Sequence, residues 1–502
     1  MISRFECYLH EFRKRFQLFQ DENALTPRHC GLENTAHLVH CVTMPVYVNR
    51  LLNLKKINVI GFDMDYTLVG YKIDAFEGLT HQIAVKRLIK KNGYPQSVEK
   101  LKFDRNRAIV GLVIDKRNGF LLKLSRFGKV KLAYYGLEEI DFRERREIYR
   151  ERAIDLRDSD FQSLDTAFAI SNGVLYSQLV EMRKNGEILP DYRTLAREVS
   201  ECIDSLHKDG TLKDILRSDF EKYVIRDPKT APMLERMKDY GKKLMIITNS
   251  DYAYTCDLLD YALNPYWGLY KNWREVFDLV ITFADKPRFF EGRNRFLRID
   301  PETGTMTNHD GPVSSGLWQG GWFEDVQDGL GVPGDEFLYL GDHIFGDVVS
   351  IKKRCDWRTA LVLGDLDEEL AAISDTTEIQ EGIDHRMEQK TQLERMADEV
   401  DMLRRNGGKK RLPEGYHEEQ ARLNAEISSL LDRLKPHFNP YWGEILRAGS
   451  EESRYAEQVE KYACIYMTKV SDLYGHSPRT YFRPPRRKLA HELVRGDHHT
   501  RG

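Results

Sequence analysis

Short apolar runs that end abruptly in polar residues recur along this chain. In "KINVIGFDMDYTLVGYK", residues 56 to 72, Ile57, Val59, Ile60 and Phe62 enclose Gly61 and lead straight into Asp63 and Asp65. The β-branched and aromatic composition predicts a strand buried on both faces. The pattern returns at "GKKLMIITNSDYAYT" (241–255), "FDLVITFADKPRFF" (277–290), "EFLYLGDHIFGDVVSIKK" (336–353) and "RTALVLGD" (358–365). Each run is about five residues long, is bounded by Gly or polar residues and precedes helix-like sequence, which predicts a parallel sheet with helices on both faces.

Between the first and second runs lies a segment that the sheet does not need. "RAIVGLVIDKRNGFLLKLSRFGKVKLAYYG" reads as hairpins with turns at Arg117-Asn118-Gly119 and Arg126-Phe127-Gly128. "SQLVEMRKNG" and "YRTLAREVSECIDSLHKDG" carry apolar residues at helical spacing. Near the C-terminus, Leu393, Met396, Val400 and Leu403, then Leu423, Ile427, Leu430 and Leu434, alternate steps of three and four. Gly407-Gly408 and Pro413 separate the two series, which predicts an antiparallel helical hairpin over about 383–435 with "GGKKR" at its turn. The expected fold class is α/β: a Rossmann-like doubly wound parallel sheet core, an inserted α+β cap domain and a C-terminal helical extension. The expected divisions are 1–72 for the N-terminal segment and first part of the core, 73–228 for the cap, 229–372 for the rest of the core and 373–502 for the hairpin and a basic tail.

Composition narrows the classes. The 502 residues are 41% hydrophobic and 31% charged, which describes a globular chain. A net charge of −3 offers no bulk attraction to nucleic acid or acidic membranes. No apolar run reaches the ~18 residues of a membrane span, and charges break up the N-terminal "MISRFECYLHEFRKRFQLF", so no secretory leader is expected. Seven scattered cysteines without a CxxC pair suggest neither a disulfide framework nor a zinc knuckle, and a cytoplasmic location is expected.

The strand ends carry the chemistry. In extended geometry residues i and i+2 point the same way, so Asp63 and Asp65 share one space, a costly arrangement without a cation or a shared proton. Asp342 and Asp347 end the fourth run. Asp63, Asp342 and the main-chain carbonyl of Asp65 are hard oxygen ligands suited to Mg²⁺. Thr248 and Asn249 offer uncharged donors before a helix start, a ready anion site, and Lys286 offers a cation. A phosphate held by such a set leaves one carboxylate to attack phosphorus. Taken singly, Thr248 and Asp347 read equally as helix caps and Lys286 as a surface lysine; four strand ends with matching groups favour the catalytic reading.

"DMDYT", "TNSD", the Lys of "ADKP" and "GDHIFGD" resemble the four motifs of the haloacid dehalogenase superfamily. Within it, "VYVNRLLNLKKINVIGFDMDYTLVGYK", "MIITNSDYAYT", "LYLGDHIFGDVVSIKK" and "ILRAGS" resemble the cytosolic purine 5′-nucleotidases and their nucleotidase-domain relatives. The resemblance implies Asp63 as nucleophile of an aspartyl-phosphate and Asp65 as general acid and then base. It implies Thr248, Asn249, Ser250 and Lys286 around the phosphate, and Mg²⁺ at Asp63, Asp65, Asp342 and Asp347. "CIDSLHKDGTLK" falls on the family's cap helix, which turns Asp204 and His207 toward the purine and Lys213 toward the phosphate; His207 reads equally as a cation near a helix C-terminus.

Two positions depart from the family pattern: Ser200 replaces an Arg, and Leu137-Glu138 stands for an aromatic–Asn pair. The leading expectation is a Mg²⁺-dependent 5′-nucleotidase for purine nucleoside monophosphates. A nucleoside phosphotransferase using the same intermediate and a catalytically silent oligomeric interaction protein are the alternatives. The segment 455–470 carries Tyr455, Val459, Tyr462, Ala463, Tyr466 and Val470 on one side. With the resemblance, this stripe predicts a homodimer or homotetramer, although burial against the chain's own core explains it equally.

Overall fold

The computed structural model describes residues 45–150, 153–407 and 411–487, together with Leu489 and Glu492. Seven strands run parallel through its largest sheet: β1 (Val59–Phe62), β2 (Lys243–Ile247), β3 (Leu279–Thr282), β4 (Gly316–Gly320), β5 (Phe337–Gly341), β6 (Arg358–Val362) and β7 (Ile465–Met467). Their order is β7-β6-β5-β1-β2-β3-β4. The chain thus builds outward from β1 on one side, returns, and builds outward on the other. β1 sits at the reversal, where ligands collect outside the carboxyl ends of such sheets. All five expected runs are strands of this sheet.

Alternation along the strands separates the two faces of the core. Val59, Met245, Leu279 and Tyr339 pack on one side, and Ile60, Phe62, Leu244, Ile246, Val280 and Leu338 on the other. Gly61 is required by packing: a Cβ there would lie 2.7 Å from Met245 Cε and 2.8 Å from Tyr339 Cδ2. At one sheet edge, Phe296–Ile299 and Met306–His309 extend β4 as an antiparallel arm. That arm was not legible beforehand, because Met306–His309 has no buried position to produce an alternating pattern.

The residues between β1 and β2 form an α+β unit. Five antiparallel strands lie in the order 138–139, 130–135, 120–124, 113–115, 161–163, with turns at Gly119 (φ 78°) and Gly128 (φ 71°). Against them pack α1 (Ile73–Asn92), α2 (Ile170–Lys184) and α3 (Tyr192–Lys208), followed by α4 (Thr211–Ser218). Toward the C-terminus, α6 (Thr377–Arg405) and α7 (Tyr416–Leu434) close on Leu393, Tyr416 and Leu423. Gly408 to Lys410, within the expected turn, lie outside the described residues, as do residues 1–44 and most of the basic tail.

The stripe from Tyr455 to Val470 is not one helical face. A helix covers Arg454–Tyr462, and β7 follows as a strand of the main sheet. Tyr455, Val459, Ala463 and Val470 are buried in the chain's own core. Burial against the chain's own core thus accounts for four of the six stripe residues, while Tyr462 and Tyr466 stay partly exposed. Among the described residues, no helix is long and apolar enough to cross a membrane.

Candidate active site

The register of the parallel strands brings the motif residues together. Phe62 lies opposite Ile246 of β2 and Leu340 of β5, so Asp63, Thr248 and Asp342 emerge side by side at the carboxyl edge. Lys286 Nζ reaches back from the loop after β3 to Asp63 Oδ1 at 2.9 Å and Asp347 Oδ1 at 2.8 Å, with Tyr339 Oη at 3.0 Å. Asp63, Asp342 and Asp347 each offer a carboxylate oxygen within 4.8 Å of the others. A Cβ at Gly341 would fall on the Asp347 carboxylate, so the strand must end in glycine for that acid to fold back. Tyr66 (φ 55°) and Asp285 (φ 58°) adopt left-handed backbone in the motif loops, strain that such sites characteristically hold.

The two acids of DMD have separate surroundings. Asp63 Oδ1 accepts both the Met64 N–H, at 2.8 Å, and the Lys286 ammonium, which leaves Oδ2 uncommitted among the described residues. Asp65 accepts hydroxyls from Tyr71 and, at 2.8 Å, from Ser250; Tyr71 is in turn bonded to Tyr254 at 3.0 Å. Burial pushes Asp63 up to about 7, assisted by Asp347 and Asp65 and opposed by Lys286. Burial likewise raises Asp65, and it raises Asp342 strongly with help from the charges of Asp63 and Asp347. For Lys286, burial pulls downward, but Asp347 and Asp63 outweigh it and hold the ammonium firmly charged.

This has a measurable consequence for the chelated protein. Folded Asp63 holds its proton up to about pH 7, whereas an unfolded Asp releases it near about 3.9. Its contribution to stability is therefore complete at low pH and lost as pH rises through 7. In EDTA, the melting temperature of the parent relative to Asp63→Asn should fall between about pH 4 and pH 7. A difference constant over that window would contradict the assigned environment.

A profile of the 5′ nucleotidase family matches residues 46–494. The chain belongs to that family. A 5′-nucleotidase domain-containing protein of Dictyostelium discoideum is 27% identical over 89% of this chain and 75% of its own length. The human 5′-nucleotidase domain-containing protein 2 is 27% identical over 93% of this chain and 87% of its own. Among solved structures, a predicted phosphoglycolate phosphatase of Haemophilus somnus overlaps 61% of this chain and 85% of its own, at 11% identity and a TM-score of 0.27.

In this member of the 5′ nucleotidase family, several residues assigned to the phosphate already have protein partners. Asn249 Nδ2 donates to the Lys286 carbonyl at 3.1 Å, and its Oδ1 accepts the Lys286 N–H at 2.7 Å, a clamp on the lysine's main chain. Ser250 turns its hydroxyl to Asp65, and Lys213 pairs with Asp251 at 2.6 Å. Thr248 is buried and accepts the Ser250 N–H through its hydroxyl oxygen, which keeps its proton for another acceptor. The helix start after β2 differs from expectation: α5 (Tyr252–Ala262) is capped by Asp251, whose carboxylate accepts the Tyr254 N–H. The chain's own acid occupies the place expected for an anion.

The cap presents α3 to this cleft. His207 lies 5.2 Å from the Phe168 ring and 6.2 Å from Phe76, and burial lowers it to about 4. This environment favours the neutral imidazole over a helix-terminal cation. Its buried Nε2 has no hydrogen-bond partner among the described residues. Asp204 is exposed on the same helix, and Ser200 receives the amides of Gln162 and Asn172 at 2.9 and 2.8 Å. Leu137-Glu138, which stands for the family's aromatic–Asn pair, is engaged with other parts of the chain. Its carbonyl binds Arg107 and its carboxylate pairs with Lys184, whereas the aromatic that reaches the motif loops is Phe168, 4.6 Å from Tyr66. Sequence reasoning passed over Phe168, Tyr71, Tyr254 and Tyr339 because each lies within apolar pattern that reads as core.

Proposed function

We propose that the chain is a Mg²⁺-dependent hydrolase of purine nucleoside 5′-monophosphates that works through a phosphoryl group carried on Asp63. Membership of the 5′ nucleotidase family makes it a phosphoric monoester hydrolase. The observation that carries the finer reading is Lys286 bridging Asp63 and Asp347 with Asp342 alongside. Three carboxyl groups crowd one ammonium in a buried space, and the raised proton affinities of Asp63 and Asp342 express the lack of a second cation to favour their ionised forms. A hard divalent cation with oxygen preference fits that set, and Asp63, Asp342 and Asp347 would hold it. When bound, the ion supplies charge neutralisation for the transferring phosphoryl group.

The residues then divide the work. Asp63 Oδ2, free of other bonds, attacks phosphorus as the bond to the 5′-oxygen breaks. Asp65 gives its proton to that oxygen, because burial favours its protonated form. The nucleoside leaves, and Asp65, now a carboxylate, takes a proton from the water that attacks the aspartyl-phosphate. That second attack restores Asp63 and releases inorganic phosphate. Lys286 and the Thr248 hydroxyl favour the anionic phosphoryl oxygens throughout. Phe168 and His207 supply an aromatic face and an uncharged nitrogen for the base, which supports a purine. A cytoplasmic location belongs to the same reading.

EDTA should silence hydrolysis of purine monophosphates and Mg²⁺ should restore it, with pyrimidine monophosphates turned over more slowly. Full activity in chelator would reject the metal; equal turnover of both classes would reject the base preference.

A further inference from the structure

Resting on the metal site just proposed, we infer that Thr166, a cap residue, positions the metal ligand Asp342. The Thr166 hydroxyl donates to Asp342 Oδ2 at 2.6 Å. Its own oxygen faces the Phe168 N–H at 3.4 Å, at the cap of a short turn. With that N–H directed at the oxygen, the hydroxyl proton is directed at Asp342. One carboxylate oxygen is thereby fixed and the other is left for an ion. Carboxylate ligands held in this way by an outer partner keep their orientation, and loss of that partner weakens metal binding about 10- to 100-fold.

The surrounding loop makes the contact more than a chance pairing. The preceding residue, Asp165, accepts the Ser163 hydroxyl at 2.8 Å, and its main-chain oxygen lies 3.4 Å from the Ile344 N–H. Burial raises the Asp165 carboxyl, and His343, next to Asp342, offsets this in part. Two residues after Thr166, Phe168 meets Tyr66 of the catalytic loop and His207 of α3. One six-residue stretch of the cap, Ser163 to Phe168, therefore touches the metal-ligand loop, the nucleophile's loop and the helix assigned to the base. Through it, the surroundings of the base and the orientation of Asp342 are connected.

Titration of the full chain with Mn²⁺, followed by electron paramagnetic resonance without substrate, reads this directly. Thr166→Val keeps the shape and removes the donor; it should weaken Mn²⁺ binding by roughly tenfold. Thr166→Ser, which restores a hydroxyl, should bind within about twofold of the parent. In turnover, Thr166→Val should raise the Mg²⁺ concentration giving half-maximal rate by a similar factor. Circular dichroism melting of both variants separates a lost donor from a lost fold. Thr166→Val with parental Mn²⁺ affinity, or Thr166→Ser as weak as Thr166→Val, overturns the assignment. A parent that binds no Mn²⁺, or Asp342→Asn that binds it unchanged, rejects the metal site itself.

Discussion

Replacing Asp63 by Asn should lower hydrolysis of nucleoside monophosphates by on the order of 10⁴-fold or more, since removal of a covalent nucleophile leaves only binding and electrostatic assistance. The substitution is nearly isosteric. The amide oxygen still accepts the Met64 N–H and the Lys286 ammonium, the two bonds that Asp63 Oδ1 makes. What it removes is the second oxygen as an attacking anion. The variant should therefore fold and melt cooperatively while failing to acquire label from a ³²P-phosphorylated substrate after acid quench. Hydrolysis within tenfold of the parent would exclude Asp63 as nucleophile and leave direct attack by water as the alternative.

The core of the site was legible because the strand grammar places it. Five apolar runs of similar length, each ending in polar residues, leave few arrangements besides a parallel sheet, and β1 with its DMD falls at the reversal of strand order. Once the strands pair in register, Asp63, Thr248 and Asp342 must emerge together. Partners were harder to read. Lys286 lies in the loop after β3, and only tertiary folding brings Nζ between Asp63 and Asp347. Tyr71, Tyr254 and Tyr339 sit in apolar pattern and are indeed buried; that Tyr71, itself bonded to Tyr254, holds Asp65 and that Tyr339 accepts from Lys286 has no local signature.

Thr166 and Phe168 had still less to announce them, since a cap loop acquires meaning only from the face it docks on. The stripe at 455–470 was open to two readings for a related reason. Helical spacing of aromatic residues cannot distinguish a free face from one covered by its own sheet, and here the helix ends at Tyr462 before β7 begins. Asp251 is a further case. A helix start after a polar strand end suggests an anion site, and the same position is one where a capping Asp is at home.

Lys286→Met should remove both activity and a large share of stability, and the two losses should respond differently to metal. The lysine side chain is 5% exposed and is bonded to Asp63, Asp347 and Tyr339. Without it, three neighbouring carboxylates face one another with no cation. Breaking a buried ion pair by removing one partner costs about 3–5 kcal/mol, chiefly because the charge left behind is uncompensated. The acids should respond by holding protons to higher pH, so the chelated variant should be most stable under mildly acidic conditions and weaken as pH rises. Mg²⁺ supplies positive charge to the same three oxygens and should recover most of the lost melting temperature at neutral pH. It should not recover turnover, because the ammonium that favours the phosphoryl oxygens would still be missing. If the melting temperature of Lys286→Met were indifferent to Mg²⁺, or its loss equal at acid and neutral pH, the carboxylates around Lys286 would not be the site of the ion.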